Sequence, residues 1–146
     1  MAHAPPQDKH ALAAISDAPV GLHREFYGKG PTKAKTFLVN DTVLCMLKGG
    51  FTVVEKTLID DGRQEAVHDM RHSFQAAMEE QFTDAVEHAL GRKVIAYMSQ
   101  VHSDPDISAE LFVLEPVDDP GLVEHDITTT PGNHEHTVAR DGTAPD

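Results

Sequence analysis

The sequence has one cysteine, no long apolar run and few basic residues, and each shortage excludes a structural feature or a class of partner. Cys45 alone cannot form an intramolecular disulfide, and its place in the apolar segment 43–47 predicts a buried, inert thiol. No stretch approaches the about 20 apolar residues that span a bilayer, and no N-terminal segment joins a basic region to an apolar one. We therefore expect a cytoplasmic protein that does not insert directly into a membrane.

Acidic residues outnumber basic ones by 24 to 12, which gives a formal net charge of -12. A surface of this charge repels nucleic acid and anionic lipid, so we expect no nucleic-acid partner. Segment 29–56 is a local exception, because it holds five lysines and only two acids: Lys29, Lys33, Lys35, Lys48 and Lys56 against Asp41 and Glu55.

Length and composition predict one domain over residues 11–116, because 146 residues with 40% hydrophobic content can bury a modest core. Residues 1–10 have no periodicity, and residues 117–146 carry seven acids and one arginine, so both segments are predicted to be disordered. The acidic tail contains two groups of side chains that could chelate a divalent metal or simply be solvated: His125 with Asp126, and His134 with Glu135 and His136.

The first element is predicted to be a helix, because apolar residues recur at helical spacing from Leu12 to Phe26 and glycines then stop the pattern. Pro19 lacks an N–H group and its ring disfavours a helix interior. We therefore predict that a helix starts near Pro19, capped by Ser16 or Asp17, with a kink at Pro19 as the alternative.

Two strand pairs follow from the apolar runs. Segments 35–39 and 42–48 flank Asn40 and Asp41, which is a hairpin signal, and segments 94–101 and 108–114 flank an acidic loop with Pro105. The first pair is apolar on adjacent as well as alternate positions, which predicts cover on both faces. Helices would cover one face and a second subunit the other, so a homodimer is expected.

Between the hairpins, Thr52 and Glu55 have the spacing of a capping box for a short helix. Residues 63–90 keep a helical period up to Gly91, which predicts one long central helix. The expected fold is α+β: a two-layer sandwich in which the N-terminal and central helices pack on a mainly antiparallel four-stranded sheet of two hairpins. A split parallel sheet is the alternative.

The turn between the first helix and the first strand is a candidate anion site. Its glycines could let backbone N–H groups converge on an anion, and its lysines could supply charge. The turn lacks the ending of a phosphate-binding Walker loop, and a rigid connection with exposed lysines would have the same composition. The candidate residues are Gly28, Lys29, Gly30, Lys33 and Lys35.

His68 and His72 are a candidate metal site, because imidazoles one helical turn apart can bind zinc. Glu79 lies about 10 Å beyond His72 at the standard helical rise, so the pair lacks a third ligand on its own helix. Solvated helix surface is the simpler interpretation. A third group, His102, Asp104, Asp106 and Glu110, could bind a hard cation or be an ordinary charged loop.

Three segments also resemble signature blocks of a known family. They are GKGPTKAKT at 28–36, KGGFTVVEKTL at 48–58 and GRKVIAYMSQ at 91–100, and in order and spacing they are similar to the MpsC-like family, with the resemblance running from about residue 15 to residue 115. Members are small bacterial proteins named for a sodium-translocating, membrane-potential-generating system. The resemblance implies a connection with membrane ion transport.

Two classes of function follow. The first is a non-enzymatic accessory or regulatory protein, a homodimer that binds a small anion or a partner such as a membrane-transport protein. The alternative is a small-molecule or metal-dependent enzyme that uses the turn at 28–35 or the face of His68 and His72. The sequence contains no nucleophile-elbow pattern, and it does not identify a cofactor.

Overall fold

The computed structural model describes residues 7–117 of the chain. Within these residues lie four helices and a four-stranded antiparallel sheet, which confirms the predicted α+β class. The elements, in chain order, are α1 Gln7–Tyr27, β1 Lys33–Val39, β2 Thr42–Lys48, α2 Val53–Asp60, α3 Gln64–Ala77, α4 Glu79–Leu90, β3 Val94–His102 and β4 Ile107–Leu114.

The sheet has the strand order β1-β2-β4-β3. Each hairpin pairs its own two strands, and β2 pairs with β4 in antiparallel orientation, so the two hairpins lie side by side. Asn40 adopts a positive φ of 54° in the first hairpin turn, a conformation that asparagine tolerates better than most residues. The parallel alternative is not the observed arrangement.

The core lies between the helices and one face of this sheet. Its main cluster joins α1, α4 and the two central strands through Ile15, Val43, Phe82, Val86, Phe112 and Leu114. Alternation along β2 sends Val43, Cys45 and Leu47 into the core and leaves the residues between them on the opposite face. The sheet is therefore packed by the described helices on one side only.

The N-terminal helix differs from its prediction. α1 runs without interruption from Gln7 to Tyr27 with Pro19 inside it, so the predicted start near Pro19 is wrong. Pro19 is buried, and Ser16 bonds Thr36 through its hydroxyl at 2.7 Å instead of capping a helix. Burial of the proline ring against the core offsets the hydrogen bond that proline cannot make.

The predicted central helix is two helices. α3 ends and α4 begins at Met78, whose φ of -94° and ψ of 1° depart from helical values. A straight helix over 63–90 would be about 42 Å long, whereas strands of about seven residues span only about 24 Å. The break lets α3 contact β3 and α2 while α4 contacts α1, so both helices stay on the sheet.

The first helix reaches further toward the N-terminus than predicted. α1 begins at Gln7, so residues 7–10 of the segment predicted to be disordered are helical. The tail histidines and acids, His125, Asp126, His134, Glu135 and His136, lie outside the described residues.

The predicted capping box is confirmed: Glu55 donates its N–H to the Thr52 hydroxyl at 3.1 Å, and the Thr52 N–H donates to Glu55 Oε1 at 2.8 Å.

Candidate functional site

The glycines around the turn at 28–35 serve close backbone packing. Gly28 ends α1 with a φ of 77°. A Cβ on Gly30 would lie 2.8 Å from the Val20 carbonyl oxygen. Across the turn, a Cβ on Gly50 would lie 3.2 Å from the Pro31 nitrogen, and one on Gly49 would lie 2.6 Å from the Thr32 hydroxyl. These contacts explain the glycines without any ligand.

The backbone N–H groups of the turn are partly committed to the protein. The Gly28 N–H donates to the Arg24 carbonyl at 3.0 Å, and the Thr32 N–H donates to the Lys48 carbonyl at 2.8 Å. Pro31 has no N–H to offer. An anion at this corner would therefore depend more on lysine side chains than on a ring of backbone donors.

Strand pairing brings three lysines together. Lys33 pairs with Lys48 across the hairpin, and Lys35 lies two residues further along β1 on the same face. All three line an open cavity of about 670 Å³, whose other lining residues are Thr32, Ala34, Phe37 and Met46. Lys29 is exposed but does not line this cavity, and Gly28 and Gly30 do not either.

These lysines lie on the sheet face opposite the core, which we call the open face. Its sixteen positions form four cross-strand rows: Val39, Thr42, Val113 and Ala96; Phe37, Leu44, Leu111 and Met98; Lys35, Met46, Ala109 and Gln100; Lys33, Lys48, Ile107 and His102. None of the sixteen is acidic, although the chain has a net charge of -12.

The open face has two different halves. The two rows nearer the Asn40 turn form an apolar half in which seven of eight residues are apolar. Phe37, Val39 and Met98 in this half are 43%, 64% and 51% exposed. The other two rows form the lysine end. Apolar exposure of this extent on a sheet is typical of a surface that contacts another molecule.

The predicted metal pair lies between α3 and β3. His68 and His72 line a cavity of about 210 Å³ together with Asp69, Gln75, Gln100 and Val101. The imidazole Nε2 of His68 lies 3.0 Å from the Ser103 hydroxyl. Within residues 7–117, no three or more His, Cys, Asp or Glu side chains are grouped as a metal site would require. The pair thus has no third ligand among these residue types in the described chain.

The acidic-loop residues are separated by the fold. Glu110 is buried on the core side of β4, whereas Asp104 is exposed in the turn between β3 and β4. Asp106 accepts the Phe51 N–H at 3.1 Å, which ties this turn to the start of α2. The structure does not bring these carboxylates to one point.

A buried ion pair that the sequence did not indicate fixes α2 and α3. Arg71 donates to both carboxylate oxygens of Glu55 at 2.6 Å and to the Gly50 carbonyl at 3.1 Å. Its guanidinium lies 4.2 Å from the centre of the Tyr27 ring. Burial alone would raise the pKa of Glu55, but the bonds from Arg71 and Thr52 outweigh it and lower that pKa.

A second buried carboxyl has no basic partner. Glu110 accepts hydrogen bonds from the Gln75 amide at 3.1 Å and from the Tyr97 hydroxyl. Burial raises the pKa of Glu110 to about 7, because the hydrogen bond from the neutral Tyr97 hydroxyl lowers it less than burial raises it. Cys45 pairs with Glu110 across the sheet and is fully buried. Burial raises the pKa of its thiol to about 11, so the predicted inert state has a physical cause.

Comparison with known proteins assigns the family. The model of a family described as "Na+-translocating membrane potential-generating system (MpsC)" matches residues 7–116, which include every described helix and strand. The chain belongs to the MpsC family.

A relative is the "Uncharacterized protein YrhF" of Bacillus subtilis (strain 168), which is 28% identical over 97 residues. The alignment covers 64% of this chain and 79% of the relative. No solved structure matches the chain. Among the helices of residues 7–117, none combines the length and apolar character that crossing a membrane requires.

Proposed function

We propose that this protein is a non-enzymatic accessory or regulatory protein, that it forms a homodimer, and that it binds a small anion at the lysine end of the open face. The observation that carries this proposal is that Lys33, Lys35 and Lys48 line one cavity on a face without acidic residues. In a chain of net charge -12, an anion meets the least repulsion there. The proposed site thus includes Lys48, and anion binding should depend less on Gly28, Lys29 and Gly30.

Membership of the MpsC family supports the physiological setting of the proposal. The family is described as a sodium-translocating, membrane-potential-generating system. We place the protein in the cytoplasm as an accessory of such a system, where a membrane-transport protein is its partner. Binding of the anion would then inform that partner about an ionic condition of the cell.

Thermal unfolding at low salt tests the anion site. Phosphate, bicarbonate and a nucleotide are added separately, and a ligand at 100 times its dissociation constant should add about 2.7 kcal/mol to the free energy of unfolding. The gain should weaken as salt shortens the screening length, which is about 10 Å at 0.1 M. The variant Lys33→Gln/Lys35→Gln/Lys48→Gln should lose the gain.

The matched control removes the same amount of charge elsewhere. Lys9→Gln/Lys29→Gln/Lys93→Gln changes three exposed lysines that do not line the cavity. It should keep the response of the parent protein to each anion. An equal response in both triple variants would refute a site at the lysine end.

A second candidate function is a small-molecule or metal-dependent enzyme at His68 and His72. The observation that favours it is a cavity of about 300 Å³ next to the 210 Å³ cavity of His68 and His72. The two cavities share His72 and Gln75, and the larger one is also lined by Glu79 and Tyr97. Elemental analysis of purified protein distinguishes the two functions. One metal per chain, lost in His68→Ala/His72→Ala, would support the enzyme.

A further inference from the structure

The apolar half of the open face needs a partner of matching shape. The second of its two rows consists of Phe37, Leu44, Leu111 and Met98, and α1 and α4 pack on the other side of the sheet. A flat apolar sheet face packs well against another sheet at a spacing of about 10 Å. A second copy of this chain provides such a sheet.

The size of the face indicates a reversible association. Four strands about 4.8 Å apart and about seven residues long define a plane of about 450 Å², or about 900 Å² for two copies. Stable interfaces bury about 1,200–2,000 Å² in total, so this face falls below that range, among the areas of weak and transient associations. Charges at its edge would then have a measurable effect on the dimer.

The pattern of the face selects one orientation. In a closed dimer both copies use the same surface around a two-fold axis. If the axis were perpendicular to the strands, the apolar rows of one copy would cover the lysines of the other. If the axis is parallel to the strands, each row lies over the same row of the second chain, and β1 lies over β3 of that chain.

In this orientation the side chains are complementary. Phe37 of one copy lies over Met98 of the other, a pairing that favours contact between sulfur and an aromatic ring. Leu44 lies over Leu111 in the same row. Lys33 lies at the end of β1 that faces the second copy's turn after His102, where the exposed carboxylate of Asp104 is located. Opposite charges therefore meet at the edge of the interface.

We propose that a second copy of this chain occupies the open face around a two-fold axis parallel to the strands, with Lys33 of each copy opposite Asp104 of the other. This inference rests on the homodimer of the proposed function and specifies its surface and orientation. In this orientation the lysine rows of the two copies meet at the same end of the interface, where Lys35 of one copy lies over Gln100 of the other and Lys48 lies over Ile107.

Sedimentation analysis across micromolar concentrations tests the surface. The parent protein should form a dimer, and Phe37→Asp or Met98→Asp should weaken it by at least about a hundredfold. Both positions are about half exposed on edge strands, so the substitutions should leave the fold intact, which circular dichroism checks. Val54→Asp on α2, at a position 68% exposed, is the control and should dimerise like the parent.

Charge reversal tests the orientation. Lys33→Glu and Asp104→Lys should each weaken the dimer about tenfold at low salt, because each replaces two attractive pairs per dimer by repulsive ones. The double variant should restore the dimer to within about threefold of the parent. Lys29→Glu makes the same charge change outside the open face and should have little effect.

The outcomes distinguish the surface and orientation of the dimer from the existence of the homodimer. A parent protein that stays monomeric at a concentration of about 100 μM would overturn both the inference and the homodimer. A dimer that is insensitive to Phe37→Asp and Met98→Asp would overturn this surface and leave the homodimer standing. A double variant as weak as the single variants would overturn the orientation. Anion binding is measured separately by thermal unfolding.

Discussion

Glu110→Gln should remove a pH dependence of stability that the parent protein has between pH 5 and pH 8. Glu110 is 1% exposed and is bonded by the neutral groups of Gln75 and Tyr97. Its pKa is raised from 4.5 to about 7 by burial. The folded chain therefore binds more protons at this residue than the unfolded chain between these two values, and stability falls as pH rises through the folded pKa.

The size of the effect follows from the two pKa values. Stability from this residue is fully present below pH 4.5 and is lost as pH rises through about 7. The full shift corresponds to about 3 kcal/mol, of which about 2–3 kcal/mol falls between pH 5 and pH 8. Glutamine has a similar volume and keeps an oxygen that can accept from Tyr97, so the variant should not lose this part of its stability.

Urea unfolding at pH 5 and pH 8, followed by circular dichroism, measures the difference. With a urea dependence of about 1–3 kcal/mol per molar, the midpoint of the parent should fall by about 1 M more than that of Glu110→Gln. Burial lowers the pKa of His23, which gives an opposite pH dependence, but this contribution is common to both proteins and cancels in the comparison. Glu115→Gln, an exposed carboxylate on the same chain segment, is the control.

An equal loss of stability in the parent and Glu110→Gln would refute the reasoning. It would mean that the bonds from Gln75 and Tyr97 stabilise the carboxylate as well as water does. Burial would then carry no net cost at Glu110. A larger loss in the variant than in the parent would mean that the ionised form is the favoured one.

Three further predictions concern stability. Arg71→Met should lower the free energy of unfolding by about 3–5 kcal/mol in chemical denaturation, because it leaves the Glu55 carboxylate buried without its partner; Arg71→Met/Glu55→Gln should recover part of the loss. Gly50→Ala should lower the thermal midpoint, because the φ of 109° and the 3.2 Å approach to Pro31 both oppose a side chain, whereas Gly21→Ala, in open space, should not. Ending the chain after Pro116 should leave the thermal midpoint nearly unchanged, because the acidic composition of residues 117–146 cannot offset an ordering cost of about 1–2 kcal/mol per residue; a drop of many degrees would contradict this.

The sequence predicted the elements that depend on local signals. Asn40 and Asp41 specify the first hairpin, and Thr52 and Glu55 specify the start of α2. The helix errors have a different origin. Pro19 stays inside α1 because of packing on the core, and the break at Met78 matches the helices to the length of the strands. Neither cause is visible in a local stretch of sequence.

The candidate site was predictable in part for the same reason. The composition of the turn points to Lys33 and Lys35, but Lys48 joins them only through the hairpin register, in which paired residue numbers add up to 81. That register follows from the two-residue turn, so it could have placed Lys48 opposite Lys33. The sequence points to Glu110 only as part of an acidic loop and does not point to Arg71, because the burial of both residues depends on contacts between elements far apart in the chain.

The open face lacks acidic residues, although the chain is rich in them. With 24 acids in 146 residues, an even spread would place about two or three among sixteen positions. The face has none, and it has three lysines instead. Lysine can bury its aliphatic stem against apolar neighbours such as Phe37 and Met46 while its charge stays in water, but a short carboxylate cannot. A face that excludes acids and tolerates lysines is thus suited both to contact with another molecule over its apolar half and to anion binding at its rim.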